Sequence, residues 1–324
     1  MASIYKISRG LDAALSTTTL DIPQEIVDLI VAILSSEITT LRTCSELSIA
    51  FHVSARRFAF ARVEIPLHVP EALARHMGKL RKTLKAKPHL LSEVASLKVL
   101  LPQFRPASEP AWKRMFSSAN DDTRWVLQRI ASSSHSARLT SLEICGTGMR
   151  RDDYGVGWDG ISPFFEFNES IAPLVLSIAQ THPHLKSLII SSVRYVPISI
   201  LNRMTCKPSI QYLSIVKTYF TNRGCGKVSA EQYLQNMRRL EVSTPVPSFL
   251  SHPTSALPKP EYISVAIPTC WYHLREAVEF LKEYTASLTM FRLALKLHSF
   301  NKESTSIILI PPSASLKTFR IDIT

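Results

Sequence analysis

Leu185-Lys186-Ser187-Leu188-Ile189-Ile190 and Ile210-Gln211-Tyr212-Leu213-Ser214-Ile215 are two copies of one short pattern. An apolar residue is followed by two variable ones, a second apolar residue, one variable residue and a third apolar residue. The closing alternation is that of a strand with one buried face. The pattern also lies upstream, at Val94-Ala95-Ser96-Leu97-Lys98-Val99 and Leu139-Thr140-Ser141-Leu142-Glu143-Ile144. Downstream it returns at Met237-Arg238-Arg239-Leu240-Glu241-Val242, and more loosely at Pro260–Val265, Leu288–Leu293 and Leu316–Ile321. The pivots Leu188, Leu213, Leu240, Ile263, Phe291 and Phe319 stand 25, 27, 23, 28 and 28 residues apart. Leu97 to Leu142 and Leu142 to Leu188 are 45 and 46, near double that spacing.

A unit of this size is too small to hold a core, so units must stack to bury one. Helix candidates lie between the strands: Leu127, Ile130 and Ala131 form one stripe, and Leu174, Val175 and Ile178 form another behind Ser170 as a cap. Ser229-Ala230-Glu231-Gln232 has capping-box form before Tyr233, Leu234 and Met237, and Leu274, Ala277, Val278 and Leu281 make a further stripe. A period in the twenties with one strand per unit resembles the leucine-rich repeat. Thr147 departs from that family, standing where the first clear unit would carry a buried Asn or Cys. The resemblance implies an α/β architecture over residues 91–324: an irregular leucine-rich-repeat-like solenoid, parallel strands on a concave face and helices outside. The alternative is an ordinary α/β domain. Pro245, Pro247, Pro253, Pro258 and Pro260 suit loops between units better than the interior of a doubly wound sheet.

The N-terminal part has a different rhythm. In Ile22-Pro23-Gln24-Glu25-Ile26-Val27-Asp28-Leu29-Ile30-Val31-Ala32-Ile33-Leu34, the residues Ile26, Leu29, Ile30, Ile33 and Leu34 make an amphipathic helical stripe. Asp21 and Gln24 have capping-box spacing, with Pro23 expected in the first turn. Leu41, Cys44, Leu47 and Phe51 form a second stripe, with Thr39 and Thr40 as candidate caps. Ser54-Ala55-Arg56-Arg57-Phe58-Ala59-Phe60-Ala61 then runs into an alternating Val63-Glu64-Ile65. Three short helices cannot bury this much apolar surface among themselves, so docking onto the rest of the chain or onto a partner is expected.

These helices resemble the F-box. The resemblance rests on Ile22-Pro23-Gln24-Glu25-Ile26 with Ile30 and Leu34, then on Leu41-Arg42-Thr43-Cys44-Ser45-Glu46-Leu47-Ser48-Ile49-Ala50-Phe51. The Leu-Arg-x-Cys-Ser segment and the trailing Ala55-Arg56-Arg57-Phe58 are similar to F-box proteins of mushroom-forming fungi. Ile22 replaces the usual Leu, and Ile49 stands where a Lys or Arg normally precedes the aromatic turn. The resemblance covers residues 20 to about 66. It implies a helical module that binds the small Skp adaptor of a cullin–RING ubiquitin ligase. The contact would run through Ile22, Pro23, Ile26, Leu29, Ile30, Ile33, Leu34, Leu41, Leu47 and Phe51, while the repeat region holds a target. An N-terminal helical cap packed on its own repeats is the competing expectation.

Composition narrows the remaining choices. Cys44, Cys145, Cys206, Cys225 and Cys270 are scattered, odd in number and never in a Cys-x-x-Cys pair. That argues against a disulfide framework and a zinc site, and for the cytosol or nucleus. No apolar run has the length of a bilayer span, and residues 1–19 lack the layout of a secretory signal, reading instead as a flexible lead-in. The net charge of +12 arises beyond residue 70, most densely at Arg75, Lys79, Arg81, Lys82, Lys85 and Lys87. Leu73, Met77, Leu80 and Leu84 share that segment, so residues 67–90 read as a basic amphipathic helix linking the two parts. Solvation of its charged face is the plain expectation. Nucleic-acid or anionic-surface binding by Arg75–Lys87 is the alternative function.

No phosphate loop, nucleophile elbow or His-Glu-x-x-His motif occurs, so no enzymatic role, cofactor or metal is expected. His182-Pro183-His184 lacks a further ligand at metal spacing. The segment Gly146–Glu169 concentrates glycines and aromatics beside acids. Tyr154, Trp158, Asp159, Phe164 and Phe165 make it a candidate target-recognition loop, with a surface loop folded back on the core as the alternative.

Overall fold

The computed structural model describes residues 22–35, 38–67, 70–101, 109–133, 138–146, 162–163, 171–194, 196–197, 209–218, 220–221, 236–243, 260–267, 271–282, 284, 287–295 and 315–323. The chain divides into two compact units, residues 1–59 and 60–324.

The first unit is built from α1 (Gln24–Leu34), α2 (Ile38–Leu47) and most of α3 (Ile49–Ala61). Its core is Val27, Val31, Leu41, Cys44 and Ala55, edged by Ala50, Phe51, Phe58 and Ala59. The helix starts differ from the capping expectation. Pro23 is itself the N-cap of α1 and no side chain caps it; Asp21 lies outside the described residues. Gln24 turns sideways instead, donating to Asp28 Oδ1 at 2.9 Å and to Ser54 Oγ at 2.7 Å. α2 begins at Ile38, so Thr39 and Thr40 sit inside its first turn rather than ahead of it.

The second unit is α/β. Its strands are β1 (Arg62–Pro66), β2 (Ser96–Leu101), β3 (Ser141–Gly146), β4 (Ser162–Pro163), β5 (Ser187–Ser191), β6 (Val193–Arg194), β7 (Val196–Pro197), β8 (Tyr212–Val216), β9 (Phe220–Thr221), β10 (Arg239–Ser243), β11 (Tyr262–Ile267), β12 (Met290–Leu295) and β13 (Thr318–Ile323). Its helices are α4 (Pro70–Ala86), α5 (Glu109–Ser132), α6 (Ala172–Thr181) and α7 (Trp271–Lys282). Nine strands form one sheet in the order β1-β2-β3-β5-β8-β10-β11-β12-β13, and every neighbouring pair is parallel. β4 pairs with β6 and β7 with β9 in two small separate ladders. A doubly wound sheet reverses its strand order at a switch point, whereas this sheet follows chain order throughout.

The repeat pivots lie side by side. Leu97, Leu142, Leu188, Leu213, Leu240, Ile263, Phe291 and Phe319 occupy one register row, and Val63 of β1 opens it. A second row runs from Ile65 through Val99, Ile144, Ile190, Ile215, Val242, Val265 and Leu293 to Ile321. Both rows are buried as far as β12. They share one core with Leu73, Met77, Leu80 and Leu84 of α4, Leu127 and Ile130 of α5, Val175 and Ile178 of α6, and Ala277 and Leu281 of α7. The segment expected to be a linker over residues 67–90 therefore holds core: α4 belongs to the sheet unit, and so does β1, placed by sequence at the end of the first module. The reason is apolar area, since four buried side chains on α4 are each worth about 1.5–3 kcal/mol.

Backbone bonding repeats with the side chains. Ala95, Lys186, Gln211, Arg238, Glu261, Thr289 and Lys317, each preceding a strand, donate an N–H to a carbonyl one strand back. Two strand exits also match: Ser192 after β5 and Lys217 after β8 have φ of 56° and 53°, in the left-handed region. α6 starts at an Ile171 N-cap without a side-chain cap; Ser170, the expected cap, and the Ser229–Gln232 segment lie outside the described residues.

Candidate functional site

Two surfaces stand out, one on each unit. On α1 the core takes Val27 and Val31, which turns the predicted stripe outward. Ile22, Ile26, Leu29 and Ile33 are 46%, 46%, 58% and 72% exposed; the spacing of Ile26, Leu29 and Ile33 puts these three on one side of the helix, and Ile22 precedes its N-cap. Leu34 is also exposed, as are Leu47, Ile49 and Val53, while Ile30 and Phe51 are half-buried and Pro23 is exposed. Leu41 is the exception among the expected contact residues, buried in the unit's own core. The face is held by polar bonds beneath it. Ser54, itself buried, donates to Asp28, and Arg57 stands 3.8 Å from the same carboxylate. The hydrogen bonds from Ser54 and then Gln24 hold the Asp28 carboxyl below its ordinary range.

The second surface is the sheet face opposite the core. Burial alternates along β2 and β5, so the intervening residues look away from the helices. Toward the N-terminal end, Glu64, Lys98 and Glu143 stand in register on β1, β2 and β3. Lys98 Nζ meets Glu143 Oε1 at 2.8 Å, and opposite charges alternate across the three strands. Burial opposes ionisation of Glu143, but hydrogen bonds from Lys98 and Cys145 outweigh it and keep the carboxyl low. Cys145 donates to Glu143 at 3.0 Å and accepts from Ser191 at 3.0 Å. Burial first, and then that bond to Glu143, push its thiol up to about 11, so it stays protonated and is no nucleophile.

Toward the C-terminal end the same face is built from Arg and Tyr. Tyr212, Arg239 and Tyr262 are register partners on β8, β10 and β11. The Arg239 guanidinium lies 5.0 Å from the Tyr212 ring centre and 4.6 Å from that of Tyr262, a cation between two π faces. Glu241 beneath accepts from Arg239 Nη2 at 2.6 Å and from the Tyr212 hydroxyl at 2.7 Å. Burial and then the bond to Glu241 raise Tyr212 to about 12. Two strands on, Arg292 and Arg320 are direct register partners. Asp322 accepts from both, from Arg320 Nε at 2.8 Å, and these bonds hold its carboxyl low.

The sequence pattern does not single out these residues because they occupy its variable positions. The signal is present all the same: arginine or tyrosine recurs at the position just before the pivot, or just after it, in five successive units. The predicted loop residues Tyr154, Trp158, Asp159, Phe164 and Phe165 lie outside the described residues. On α4, Arg75, Lys79, Lys82 and Lys85 are exposed, as is Lys87 just beyond it, whereas Arg81 pairs with Asp122 of α5. Arg81, Lys85 and Arg129 all lie within 5.7 Å of the Trp125 ring centre. His182 is buried with Nε2 2.9 Å from the Ile130 carbonyl, while His184 is exposed. Among the described residues no group of three or more His, Cys, Asp or Glu is placed to hold a metal ion, and no helix is long and apolar enough to cross a membrane. In comparisons with known proteins, no protein-family model and no curated protein matches this chain.

Proposed function

We propose that this chain is a substrate-recognition adaptor of a Skp–cullin–F-box ubiquitin ligase, non-enzymatic and working in the cytoplasm or nucleus. In this reading the first unit is an F-box-like module that binds the Skp adaptor. The second is an irregular leucine-rich-repeat solenoid that holds a target protein near the ubiquitin-transfer machinery, contributing proximity rather than chemistry. The observation that carries the reading is the outward row Ile22, Ile26, Leu29 and Ile33, which leaves four large apolar side chains in water on a unit whose own core is five residues. A partner helix surface that covers the row recovers about 1.5–3 kcal/mol for each side chain buried. Leu41 then acts from inside, holding α2 in place, while Pro23, Ile30, Leu34, Leu47 and Phe51 flank the row.

The test is a double variant that charges the row without touching the core. Leu29→Asp with Ile33→Asp removes two buried contacts in the complex, so affinity for the Skp adaptor falls by at least a hundredfold. Co-purification of adaptor and cullin with the wild-type chain, and their loss with this variant at unchanged far-UV circular dichroism, is the expected result. Retention of the adaptor by the variant ends the reading. Salt separates the alternative built on Arg75–Lys87: an apolar helix dock survives 0.5 M salt, whereas phosphate binding weakens steeply as salt rises from about 0.05 M.

A further inference from the structure

We propose that the open sheet face over β10–β13 binds an extended acidic segment of a partner protein, carrying carboxylates or phosphates, through Arg239, Arg292 and Arg320. This rests on the reading of the second unit as the target-holding part, and names what that target presents.

The two ends of the face treat charge differently. At β1–β3, Glu64, Lys98 and Glu143 alternate in sign across register partners, and the Lys98 and Glu143 side chains are only 19% and 21% exposed. That end is closed electrostatically. At β12–β13 two arginines are register partners, an arrangement that costs stability unless an anion sits between them. Asp322 supplies one negative charge to the two, so the pair keeps a positive excess. Burial is segregated as well. The carboxylates Glu241 and Asp322 are 20% and 19% exposed, whereas Arg239, Arg292 and Arg320 are 51%, 40% and 61% exposed. The acids lie underneath and orient the guanidinium groups; the cations form the surface.

Orientation is what makes these arginines a site. Arg239 is clamped between two tyrosine rings and tied to Glu241, and Arg292 is tied to Asp322. A guanidinium has five N–H donors in a planar fork that matches carboxylate and phosphate geometry. Holding the fork in advance lowers the ordering cost of binding. The outward residues Ser214, Ser243 and Ser264 are small and buried, whereas the arginines of the same face are exposed. Arg239 and Arg292 stand two strands apart and two residues out of register, which at about 4.8 Å per strand and about 3.3 Å per residue separates them by about 12 Å, the span of three to four residues of extended chain. The matching ligand is therefore a segment with acidic groups about three to four positions apart, one of them bridging Arg292 and Arg320.

Fluorescence anisotropy with the full-length chain at 0.1 M salt tests this. The probes are fluorescein-labelled decaglutamate, a labelled serine decapeptide phosphorylated at five positions, decalysine, and a ten-nucleotide oligothymidylate. The expected result is binding of at least one acidic peptide, none of decalysine, and a tenfold or greater loss in Arg292→Ala with Arg320→Ala. Which peptide binds more tightly tells carboxylate from phosphate. If the double variant does not fold, Arg320→Glu at the most exposed of the three gives the same loss. Lys79→Ala with Lys82→Ala on α4 leaves binding unchanged. Unaltered binding in the arginine variants, loss in the α4 variant, no binding of either acidic peptide, or tighter binding of oligothymidylate than of both overturns the proposal. No adaptor is present in this assay, and Leu29→Asp with Ile33→Asp binds the peptides as wild type does, so its outcome is separate from that of adaptor binding.

Discussion

Ser54 shows how a single hydroxyl can hold a helix pair. It is 1% exposed, accepts from Gln24 on α1 and donates to Asp28 one turn further along the same helix. Ser54→Ala leaves both partners without their bond to α3 and costs about 1–3 kcal/mol in the first unit, read as a lower midpoint in urea. The Asp28 carboxyl, held below its ordinary 3.8, adds a pH signature. Its contribution is complete above 3.8 and is lost as pH falls through the lowered folded-state value. Urea midpoints of the first unit therefore stay level on this account from pH 7 to 5 and drop only below pH 3.8, and Ser54→Ala shrinks that drop by removing its largest cause. None of this was legible in sequence. The spacing of Asp21 and Gln24 suggests a capping box, but the N-cap is Pro23, and Gln24 finds a partner 30 residues away that no local pattern encodes.

At the scale of elements, the strands were legible and the helix ends were not. A strand with one buried face must alternate, so the pattern around Leu97, Leu142, Leu188, Leu213 and Leu240 placed five strands of the sheet, and its looser copies placed three more. Phe60-Ala61-Arg62-Val63-Glu64-Ile65 carries the same pattern, but its leading residue Phe60 lies inside α3, so the strand reads from sequence as the tail of the helical module rather than as a first unit. Burial sets the cost of changing a pivot. Leu188→Ala, fully buried in a central strand, is expected to cost about 2–5 kcal/mol in the sheet unit. Phe319→Ala removes a larger side chain, yet it sits on the edge strand 39% exposed and its ring only stacks on Phe291, so it costs less than Leu188→Ala in the same urea titration. Ser192, at φ 56°, offers a backbone test: Ser192→Val adds β-branching in the left-handed region and lowers stability by about 1–2 kcal/mol.

Over the whole molecule, two cores of unequal size divide the chain. Among the described residues, five buried residues serve the first unit, whereas the second gathers its core from the sheet strands β1 to β12 and from α4, α5, α6 and α7. Unfolding is then expected in two steps, and Val31→Ala moves the first midpoint while leaving the second in place, a separation that tryptophan fluorescence and far-UV circular dichroism detect together because all four tryptophans, Trp112, Trp125, Trp158 and Trp271, belong to the second unit. The positive net charge was visible in composition, but its arrangement was not. Composition directs attention to α4, where basic residues are dense, and overlooks three arginines that come together only when strands far apart in sequence are laid side by side.

That lateral stacking gives each strand two independent vocabularies. The inward letters of β10–β13 (Leu240, Val242, Ile263, Val265, Phe291 and Leu293 among them) spell the architecture. The outward letters between them share the same backbone but touch none of that core, so they can be rewritten without disturbing how the sheet is assembled. Exchanging Arg239, Arg292 and Arg320 for another set of side chains would change the charge and chemistry of the face while the scaffold stays as it is. A chain organised in this way can vary its surface one strand at a time, which makes the sheet face a natural place for selection, or an engineer, to act.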